Sequence, residues 1–350
     1  MNILLFILYL LIIVYCFAFK KIKAGFYLAF LMAWVLIAGN YDNADYDQYL
    51  LRYESGLEVT VDIGYSCLCN FFCNLGFDYQ TFKGIVSFVC LLMIYRTINK
   101  LSLHPSVGAA LFLIFPFIID ITQFRNFVSY SVVFSAIPHL FDNKRFGLIK
   151  YVAIVLLASS IHAASIFYLV FALSKIKVKV WYVIVIALFV YLVKEAMKGY
   201  FSIRLDTQKL ENLTQTTMLG AIAGSLVVII NFLLIRYVHK GYNYKKPIPA
   251  KMPQRALAFC TDNTWLYCNM LLLLIIPFLF DNGNYSRIYR NIVVLNMIFI
   301  YNAYYLNKQK RYVLMLCYYA YFVFTTYLQG SYFSDIFAPV FYNNSFFKVI

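Results

Sequence analysis

The sequence predicts an all-α, polytopic integral membrane protein, and three observations lead to this fold class. Of its 350 residues, 63% are hydrophobic and 13% are charged, and the mean hydropathy is +0.73. Soluble domains have roughly 45–50% apolar and about 25% charged residues. The apolar residues fall in runs of about 16 to 20, close to the ~20 residues that cross a hydrocarbon core ~30 Å thick. We therefore predict one multi-span membrane domain over residues 1–350.

About ten of these runs are predicted to be transmembrane helices. The first run has neither a basic start nor a small-residue cleavage site, and Lys20, Lys21 and Lys23 follow it, so we interpret it as a retained anchor. The predicted spans are residues 2–19, 24–39, 81–98, 107–122, 126–141, 180–193, 218–235, 265–280, 291–307 and 312–328.

Residues 151–174 are predicted to form a re-entrant or short-helix hairpin, because small and polar residues occupy the centre of this apolar segment. Loops rich in Lys and Arg lie on the cytoplasmic side of membranes. A hairpin puts 20 of the 30 Lys and Arg on the side of Lys20, whereas a single crossing gives 15. His162 then lies near the hairpin tip, toward the outer face. The alternative is one helix whose small residues allow close packing. The 20 are Lys20, Lys21, Lys23, Arg96, Lys100, Lys144, Arg145, Lys150, Lys175, Lys177, Lys179, Arg236, Lys240, Lys245, Lys246, Lys251, Arg255, Lys308, Lys310 and Arg311.

The first outer loop, residues 40–64, combines six carboxylates with a single arginine and several tyrosines. Carboxylates accept hydrogen bonds from sugar hydroxyls and take up protons, and aromatic rings cover the apolar face of a sugar. The loop therefore indicates a polyhydroxylated ligand, although a simple solvated loop would have a similar composition. The predicted catalytic carboxylates are Asp42 and Asp45, and the predicted sugar-binding residues are Tyr46, Tyr49, Asp62 and Tyr65.

Two further polar clusters, residues 120–126 and 281–291, follow the similar runs LFLIFPFIID and LLLIIPFLFD, which indicate a weak internal repeat or two independent helix kinks. Arg125, Arg287 and Arg290 lie at predicted helix starts on the outer face. Guanidiniums bind phosphate oxygens through paired N–H groups, and helix N-termini favour anions. In the alternative, these arginines pair with Asp120 and Asp281 to close the helix ends, or reach lipid head groups. The predicted pyrophosphate-binding residues are Arg125, Arg287, Arg290, Asn126 and Gln123.

Other classes of site are not indicated. Cys67, Cys69 and Cys73 fall on different helix faces without a nearby histidine, so we predict no metal site, and no cofactor motif is present. The net charge of +15 reflects basic residues beside apolar spans rather than nucleic-acid binding. Residues 236–256, with six Lys or Arg and no acid, are predicted to form a cytoplasmic loop that touches anionic lipid.

These features resemble the EpsG-like branch of the Wzy-type polysaccharide polymerases. The resemblance rests on the acidic, Tyr-rich first outer loop ending in Asp62-Ile-Gly-Tyr65, Q-x-R-N at residues 123–126, a lone His162 after an apolar run, and R-x-x-R at residues 287–290. Asp62 stands where a glutamate is expected before Gly-Tyr, and Asn291 stands where an aromatic residue is expected. These departures make Asp62 and Asn291 weaker site candidates.

The resemblance implies a glycosyltransferase-type polymerase of O-antigen, capsule or exopolysaccharide at the outer face of the bacterial plasma (inner) membrane. It implies that a chain on undecaprenyl pyrophosphate is moved onto a sugar hydroxyl of an incoming lipid-linked repeat unit, with His162, Asp42 or Asp45 taking the proton. The implied partners are the undecaprenyl-pyrophosphate-linked oligosaccharide, membrane lipid, a chain-length regulator and a flippase. The alternatives are a lipid-linked-sugar glycosyltransferase, a polysaccharide ligase, or a lipid-linked oligosaccharide flippase, which should carry more charges in mid-membrane than this chain does.

Overall fold

The protein is described by a computed structural model, and the elements in the described part of the chain are helical, apart from an isolated bridge between Asn40 and Asn344. Parts of two predicted loops, residues 56–61 and 242–253, lie outside the described residues. The structure describes residues 3–55, 62–142, 145–176, 179–202, 217–241, 254–307, 310–328 and 332–347.

The N-terminal half brings the first outer loop next to the first polar cluster. Asp78 caps one helix here by accepting a hydrogen bond from the Thr81 N–H at 2.8 Å. The helices are α1 (Ile3–Ala18), α2 (Lys23–Gly39), α3 (Tyr46–Glu54), α4 (Ile63–Asn74), α5 (Tyr79–Leu101), α6 (Pro105–Phe112), a π-helical turn (Leu113–Phe117), α7 (Ile118–Thr122), α8 (Phe124–Ala136) and a 3-10 turn (Ile137–Phe141).

The C-terminal half begins with the predicted hairpin and carries the second polar cluster. Asp262 caps a helix in this half, accepting from the Thr264 N–H at 3.2 Å. The helices are α9 (Arg145–Ile161), a long 3-10 helix (Ala163–Lys175), α10 (Val180–Ser202), α11 (Met218–Lys240), α12 (Gln254–Thr261), α13 (Asn263–Leu271), a 3-10 turn (Leu272–Ile275), α14 (Ile276–Leu279), a 3-10 turn (Gly283–Tyr285), α15 (Ser286–Asn307), α16 (Lys310–Leu328), a π-helical turn (Tyr332–Phe337), α17 (Ala338–Tyr342) and a 3-10 turn (Ser345–Phe347).

The all-α membrane fold is confirmed, but the predicted count of about ten spans is not. Among the described residues, three helices are long and apolar enough to cross a bilayer: Tyr79–Leu101, Pro105–Thr122 and Met218–Lys240. The pair Gln254–Thr261 and Asn263–Leu279, bent by 57°, makes a fourth if it is one span. Other predicted runs contain apolar helical stretches of 10–17 described residues, shorter than the ~20 residues of a full crossing, and two of these stretches belong to the longer helices α10 and α16. The stretches are Ile3–Ala18, Lys23–Gly39, Phe146–Ile161, Ala163–Lys175, Val180–Val193 and Tyr312–Tyr327.

The two similar apolar runs are both interrupted close to their proline. The π-helical turn Leu113–Phe117 contains Pro116, and the turn Leu272–Ile275 ends two residues before Pro277. Proline removes a backbone N–H donor and its ring clashes with the preceding turn, which explains the break of a regular helix at each place. Each run therefore ends in a short helix that delivers an aspartate, Asp120 or Asp281, to the same region of the molecule.

The predicted hairpin segment breaks at His162, whose backbone is extended (φ −149°, ψ 114°). The Tyr151 hydroxyl donates to the Tyr168 carbonyl oxygen at 2.6 Å. In one straight α-helix these residues would be separated by roughly 25 Å, so the two arms fold back on each other. The small residues at the break allow α8 to pack against both arms: the Ser129 hydroxyl donates to the Ala158 carbonyl and lies 2.6 Å from the Ser165 hydroxyl.

Two ion pairs place distant loops at one end of the bundle. Arg255 donates from Nε and Nη2 to the two carboxylate oxygens of Asp142 at 3.0 and 3.1 Å, and Lys175 lies 4.0 Å from Asp262. If α10 and α11 each cross the membrane, a single crossing by residues 151–174 would put Asp142 and Arg255 on opposite sides. Their contact is the arrangement that a hairpin requires.

Candidate functional site

One carboxylate, Asp62, joins three segments that are distant in the sequence. Its Oδ2 lies 2.7 Å from Nη1 of Arg125, the second residue of α8, and 3.6 Å from Nδ1 of His162 at the hairpin break. Its Oδ1 accepts a hydrogen bond from the Ala163 N–H at 2.9 Å. The side chains of Asp62, Arg125 and His162 are 10%, 24% and 16% exposed, so the three groups are largely buried.

A glycine permits this close approach of α4 to the hairpin. A Cβ at Gly64 would lie 2.5 Å from the Ser160 hydroxyl oxygen and 2.9 Å from the Ser160 carbonyl carbon. Real Cβ atoms do not come that close to backbone, so only glycine allows this packing. Because Gly64 lies two residues after Asp62, the contact holds the carboxylate beside His162.

Two arginines and the histidine face one cavity of about 470 Å³, within the range of small-ligand sites. Arg287, the second residue of α15, also donates from Nη2 to Asn284 Oδ1 at 3.0 Å. Arg125 and Arg287 thus bring two guanidiniums to one space although 162 positions of sequence separate them. The lining residues are Arg125, Asn126, His162, Ala164, Ser165, Tyr168, Asp281, Asn282, Asn284, Tyr285, Arg287, Ile288 and Asn291.

Arg290 was predicted to bind pyrophosphate, but the structure places it behind the cavity rather than in its lining. It donates from Nη2 to Gln123 Oε1 at 2.7 Å and lies 3.7 Å from Asp120 Oδ1. Asp120 is fully buried and Arg290 is 8% exposed. The two polar clusters are thus linked across the site, because Arg290 of the second pairs with Asp120 of the first, while Arg125 pairs with Asp62.

The carboxylates of the first outer loop occupy different places. Asp45 is partly buried, which raises the pKa of its carboxyl, and the charges of Arg287 and Arg125 oppose that rise, so Asp45 lies within the electrostatic reach of both cavity arginines. Asp42 instead accepts from Asn343 Nδ2 at 3.1 Å, and it does not belong to the cavity lining.

The loop tyrosines pack around the site without lining the cavity. Tyr49 packs edge-on against the buried Tyr65, with ring centroids 6.3 Å apart. The Tyr46 hydroxyl donates to Gln80 Oε1 at 3.0 Å. Lys83 is 1% exposed, donates to the Asn40 carbonyl oxygen at 2.7 Å and lies over the Tyr46 ring. These contacts fix the start of the outer loop to α5.

Some lining residues were not predicted from the sequence. Tyr168 lies in an apolar run and carries no sequence signal of a site, whereas Ser165 belongs to the small and polar residues that predicted the hairpin. The Tyr168 hydroxyl donates to the Ile288 carbonyl oxygen at 2.8 Å and accepts from Asn291 Nδ2 at 3.4 Å, which ties the hairpin to α15. Asn282 and Asn284, by contrast, belong to the polar cluster 281–291. Their closeness to Arg287 in the sequence could have indicated that they line the same site.

A second, largely apolar cavity of about 630 Å³ has a lining residue, Phe280, that is adjacent in sequence to a residue of the polar cavity. It runs between α10, α11 and the segment 273–280, from Val180 and Arg236 at one end to Tyr191 and Phe280 at the other. Phe280 is followed directly by Asp281, which lines the polar cavity. The remaining lining residues are Ile184, Ala187, Leu188, Ile229, Phe232, Leu233, Leu273, Ile276 and Pro277.

No curated protein and no solved structure matches this chain. The model of the EpsG family, however, matches residues 23–347, nearly its whole length. That match covers the outer loop, both polar clusters and the hairpin. The resemblance seen in the short sequence motifs is therefore confirmed, and the chain belongs to the EpsG family.

Proposed function

We propose that this membrane protein polymerises undecaprenyl-pyrophosphate-linked oligosaccharide repeat units at the outer face of the bacterial plasma membrane. Membership of the EpsG family indicates a polysaccharide polymerase type of function. The observation that carries the finer proposal is the cavity in which Arg125, Arg287 and His162 face one another. Such a cavity holds the groups that a glycosyl transfer from a lipid pyrophosphate requires.

The arginines act on the leaving group. As the bond between the anomeric carbon and the pyrophosphate oxygen breaks, the electron pair stays on that oxygen and undecaprenyl pyrophosphate departs. Guanidiniums bind phosphate oxygens through parallel N–H bonds, and preorganised charges in a site with little water stabilise such developing charge most effectively. Arg125 and Arg287 provide these groups, and Arg290, held by Asp120 and Gln123, positions the start of α15 so that Arg287 reaches the cavity.

His162 acts on the acceptor. A sugar hydroxyl of the incoming lipid-linked repeat attacks the anomeric carbon, forming the new C–O bond, and its proton passes to the neutral imidazole. The imidazolium then releases that proton to water. Of the three predicted bases, His162 lines the cavity, whereas Asp42 is held by Asn343 outside it, so His162 is the proposed base.

The charges at one end of the bundle support the proposed outer location. α9 starts at Arg145, next to the end where Asp142 meets Arg255, and rises 16 residues to Ile161. At 1.5 Å per residue the tip lies roughly 24 Å from that end. Basic residues mark the cytoplasmic side of a membrane protein, and Arg255 and Lys175 lie at that end, which supports placing the cavity on the opposite side.

The apolar cavity is proposed to hold the prenyl chain of the lipid substrate. Apart from Arg236 its lining is mainly apolar, and it reaches Phe280, whose neighbour in the sequence, Asp281, lines the polar cavity. When the pyrophosphate group of the lipid substrate binds Arg125 and Arg287, its prenyl chain would lie in this apolar cavity. There the chain gains dispersion contacts with the helices.

Leu188→Trp should obstruct the apolar cavity and slow polymerisation, because Leu188 lines it and is 58% exposed. The matched control is Phe189→Trp, at a neighbouring position that is 64% exposed and does not belong to the cavity lining. We expect rates measured at saturating and at limiting concentrations of lipid-linked substrate to give a raised KM for Leu188→Trp and an unchanged KM for Phe189→Trp. Equal KM values for the two variants would argue against a prenyl chain in the apolar cavity.

The proposed function is tested by polymerisation of purified lipid-pyrophosphate-linked repeats in proteoliposomes, followed as a product ladder on a gel. The reaction should continue in EDTA, because guanidiniums perform the charge neutralisation that Mg²⁺ performs in other phosphate-transferring sites. A complete loss of activity that Mg²⁺ or Mn²⁺ restores would favour the alternative glycosyltransferase, with Asp42 and Asp45 as metal ligands.

A further inference from the structure

The two oxygens of Asp62 are used unequally. Oδ1 is held by the Ala163 N–H at 2.9 Å. Oδ2 pairs with Arg125 at 2.7 Å but lies 3.6 Å from His162 Nδ1, beyond hydrogen-bond distance. Within the described part of the chain, the buried Nδ1 atom has no hydrogen-bond partner. One carboxylate oxygen thus lies between a satisfied guanidinium and an unsatisfied imidazole.

The guanidinium of Arg125 is also the group that the substrate needs. A pyrophosphate carries more negative charge than a carboxylate and offers several oxygens for parallel N–H bonds. It therefore competes with Asp62 for Arg125. A largely buried carboxylate that loses its cation must find another donor, because an uncompensated buried charge is strongly unfavourable.

Building on the function proposed above, we propose that Asp62 occupies Arg125 in the empty site and that the pyrophosphate of the bound substrate displaces it onto Nδ1 of His162. The bond from Ala163 keeps the carboxylate next to the imidazole during the exchange, since Ala163 directly follows His162. A shift of less than 1 Å in the Oδ2 to Nδ1 distance is enough to form the new hydrogen bond.

The exchange couples binding of the donor to activation of the base. When Nδ1 carries the proton and donates to Asp62, the lone pair lies on Nε2, the nitrogen left to accept a proton from the acceptor sugar. The carboxylate also stabilises the imidazolium that forms. Asp62 acts through His162 and is therefore a positioning residue. The charged groups whose fields act on His162 are Asp62, which directly precedes α4, Arg125 of α8 and Arg287 of α15.

The test uses Asp62→Asn in the full-length protein, with inorganic pyrophosphate as the probe. Asparagine keeps an oxygen for the Ala163 N–H and nearly the same volume, but it removes the charge that competes for Arg125. We expect pyrophosphate to bind roughly tenfold more tightly by calorimetry, while polymerisation slows roughly tenfold to a hundredfold. The rate should fall off at a lower pH than in the wild type, because removal of the carboxylate makes the imidazole harder to protonate.

Opposite changes in affinity and rate are the signature of the exchange. Weaker pyrophosphate binding together with a slower rate would overturn the proposal, since Asp62 would then merely hold Arg125 in place. Tighter binding with an unchanged rate and pH profile would also overturn it, because the transfer to His162 would have no effect. Pyrophosphate binding that is equal in the wild type and in Arg125→Ala would instead contradict the proposed function itself.

Two further variants separate charge from shape. Asp62→Glu keeps the charge and should retain the wild-type pH profile; a loss of rate as large as that of Asp62→Asn would mean that shape alone matters. Asp47→Asn removes a carboxylate from the exposed face of α3 and should change neither quantity. If Asp47→Asn also bound pyrophosphate more tightly and polymerised more slowly, the effect would come from the overall charge of the loop, and the proposal would be overturned.

Discussion

Arg125→Lys is expected to lower the rate of polymerisation roughly a hundredfold, almost as much as Arg125→Ala, since removal of one preorganised charge contact costs on the order of 3 kcal/mol. Lysine keeps the positive charge, but its single ammonium does not reproduce the two parallel N–H bonds of a guanidinium. Long-chain polysaccharide in cells, protein level in the membrane and the rate with purified substrate measure the effect.

Arg52→Lys is the matched control for this substitution. Arg52 lies in the last turn of α3 on the same outer loop, where its side chain is exposed. A guanidinium that touches no substrate should be replaced by lysine without loss of activity.

The competing explanation is that Arg125 has a structural role only, as the ion-pair partner of Asp62. If Arg125 served only to neutralise Asp62, lysine should restore most of the activity, and Asp62→Ala with Arg125→Ala should be milder than Arg125→Ala alone. The sequence had suggested Asp120 as the neutralising partner, but Asp120 lies 3.7 Å from Arg290 instead. A well-expressed Arg125→Lys protein that makes long chains would remove Arg125 from the phosphate site.

The arginine positions were predictable because of local chain geometry. The spans on either side of residue 123 are so closely spaced that Arg125 had to begin a helix at the membrane boundary, and it is the second residue of α8. Arg287 stands in the same place in α15. Composition and the length of apolar runs likewise indicated the all-α membrane class, since both depend on summed properties of the chain rather than on particular contacts.

The pairing of these residues was not predictable. Asp62 lies 63 positions before Arg125 and 100 before His162, so no sequence periodicity relates it to either. Its departure from the expected glutamate even made it a weaker candidate, whereas the structure places its carboxylate against both residues. A single side chain can link segments so far apart only through tertiary packing, here the contact between Gly64 and Ser160.

The predicted number of spans is not confirmed, for a related reason. Hydropathy counts apolar residues and does not register where the backbone leaves the α-helix. The run 126–141 ends its α-helix at Ala136 and continues as a 3-10 turn, and the second arm of the hairpin is 3-10 throughout. Short and broken helices of this kind are tolerated at membrane depth where protein covers them or a cavity adjoins them, and the break at His162 borders the candidate site.

His162→Gln is expected to slow polymerisation by roughly 10²–10⁴-fold, the usual contribution of a positioned general base. Glutamine is polar and of similar reach, but it does not take up a proton near neutral pH. Binding of pyrophosphate should persist, because Arg125 and Arg287 are unchanged and line the same cavity. The variant should therefore polymerise more slowly but bind pyrophosphate as tightly as the wild type. The part of the pH dependence that arises from protonation of the imidazole should be missing from its remaining rate.

A second histidine distinguishes loss of the base from loss of a histidine as such. His139 lies 3.2 Å from Asp142, at the opposite end of the bundle from the cavity, and His139→Gln should leave both the rate and its pH profile intact. Chain-length distribution, initial rate and pyrophosphate affinity measured for both variants decide the matter. If His162→Gln polymerises at the wild-type rate while Arg125→Lys does not, the acceptor proton goes elsewhere, and Asp45, which lies within the field of both cavity arginines, becomes the base to test next.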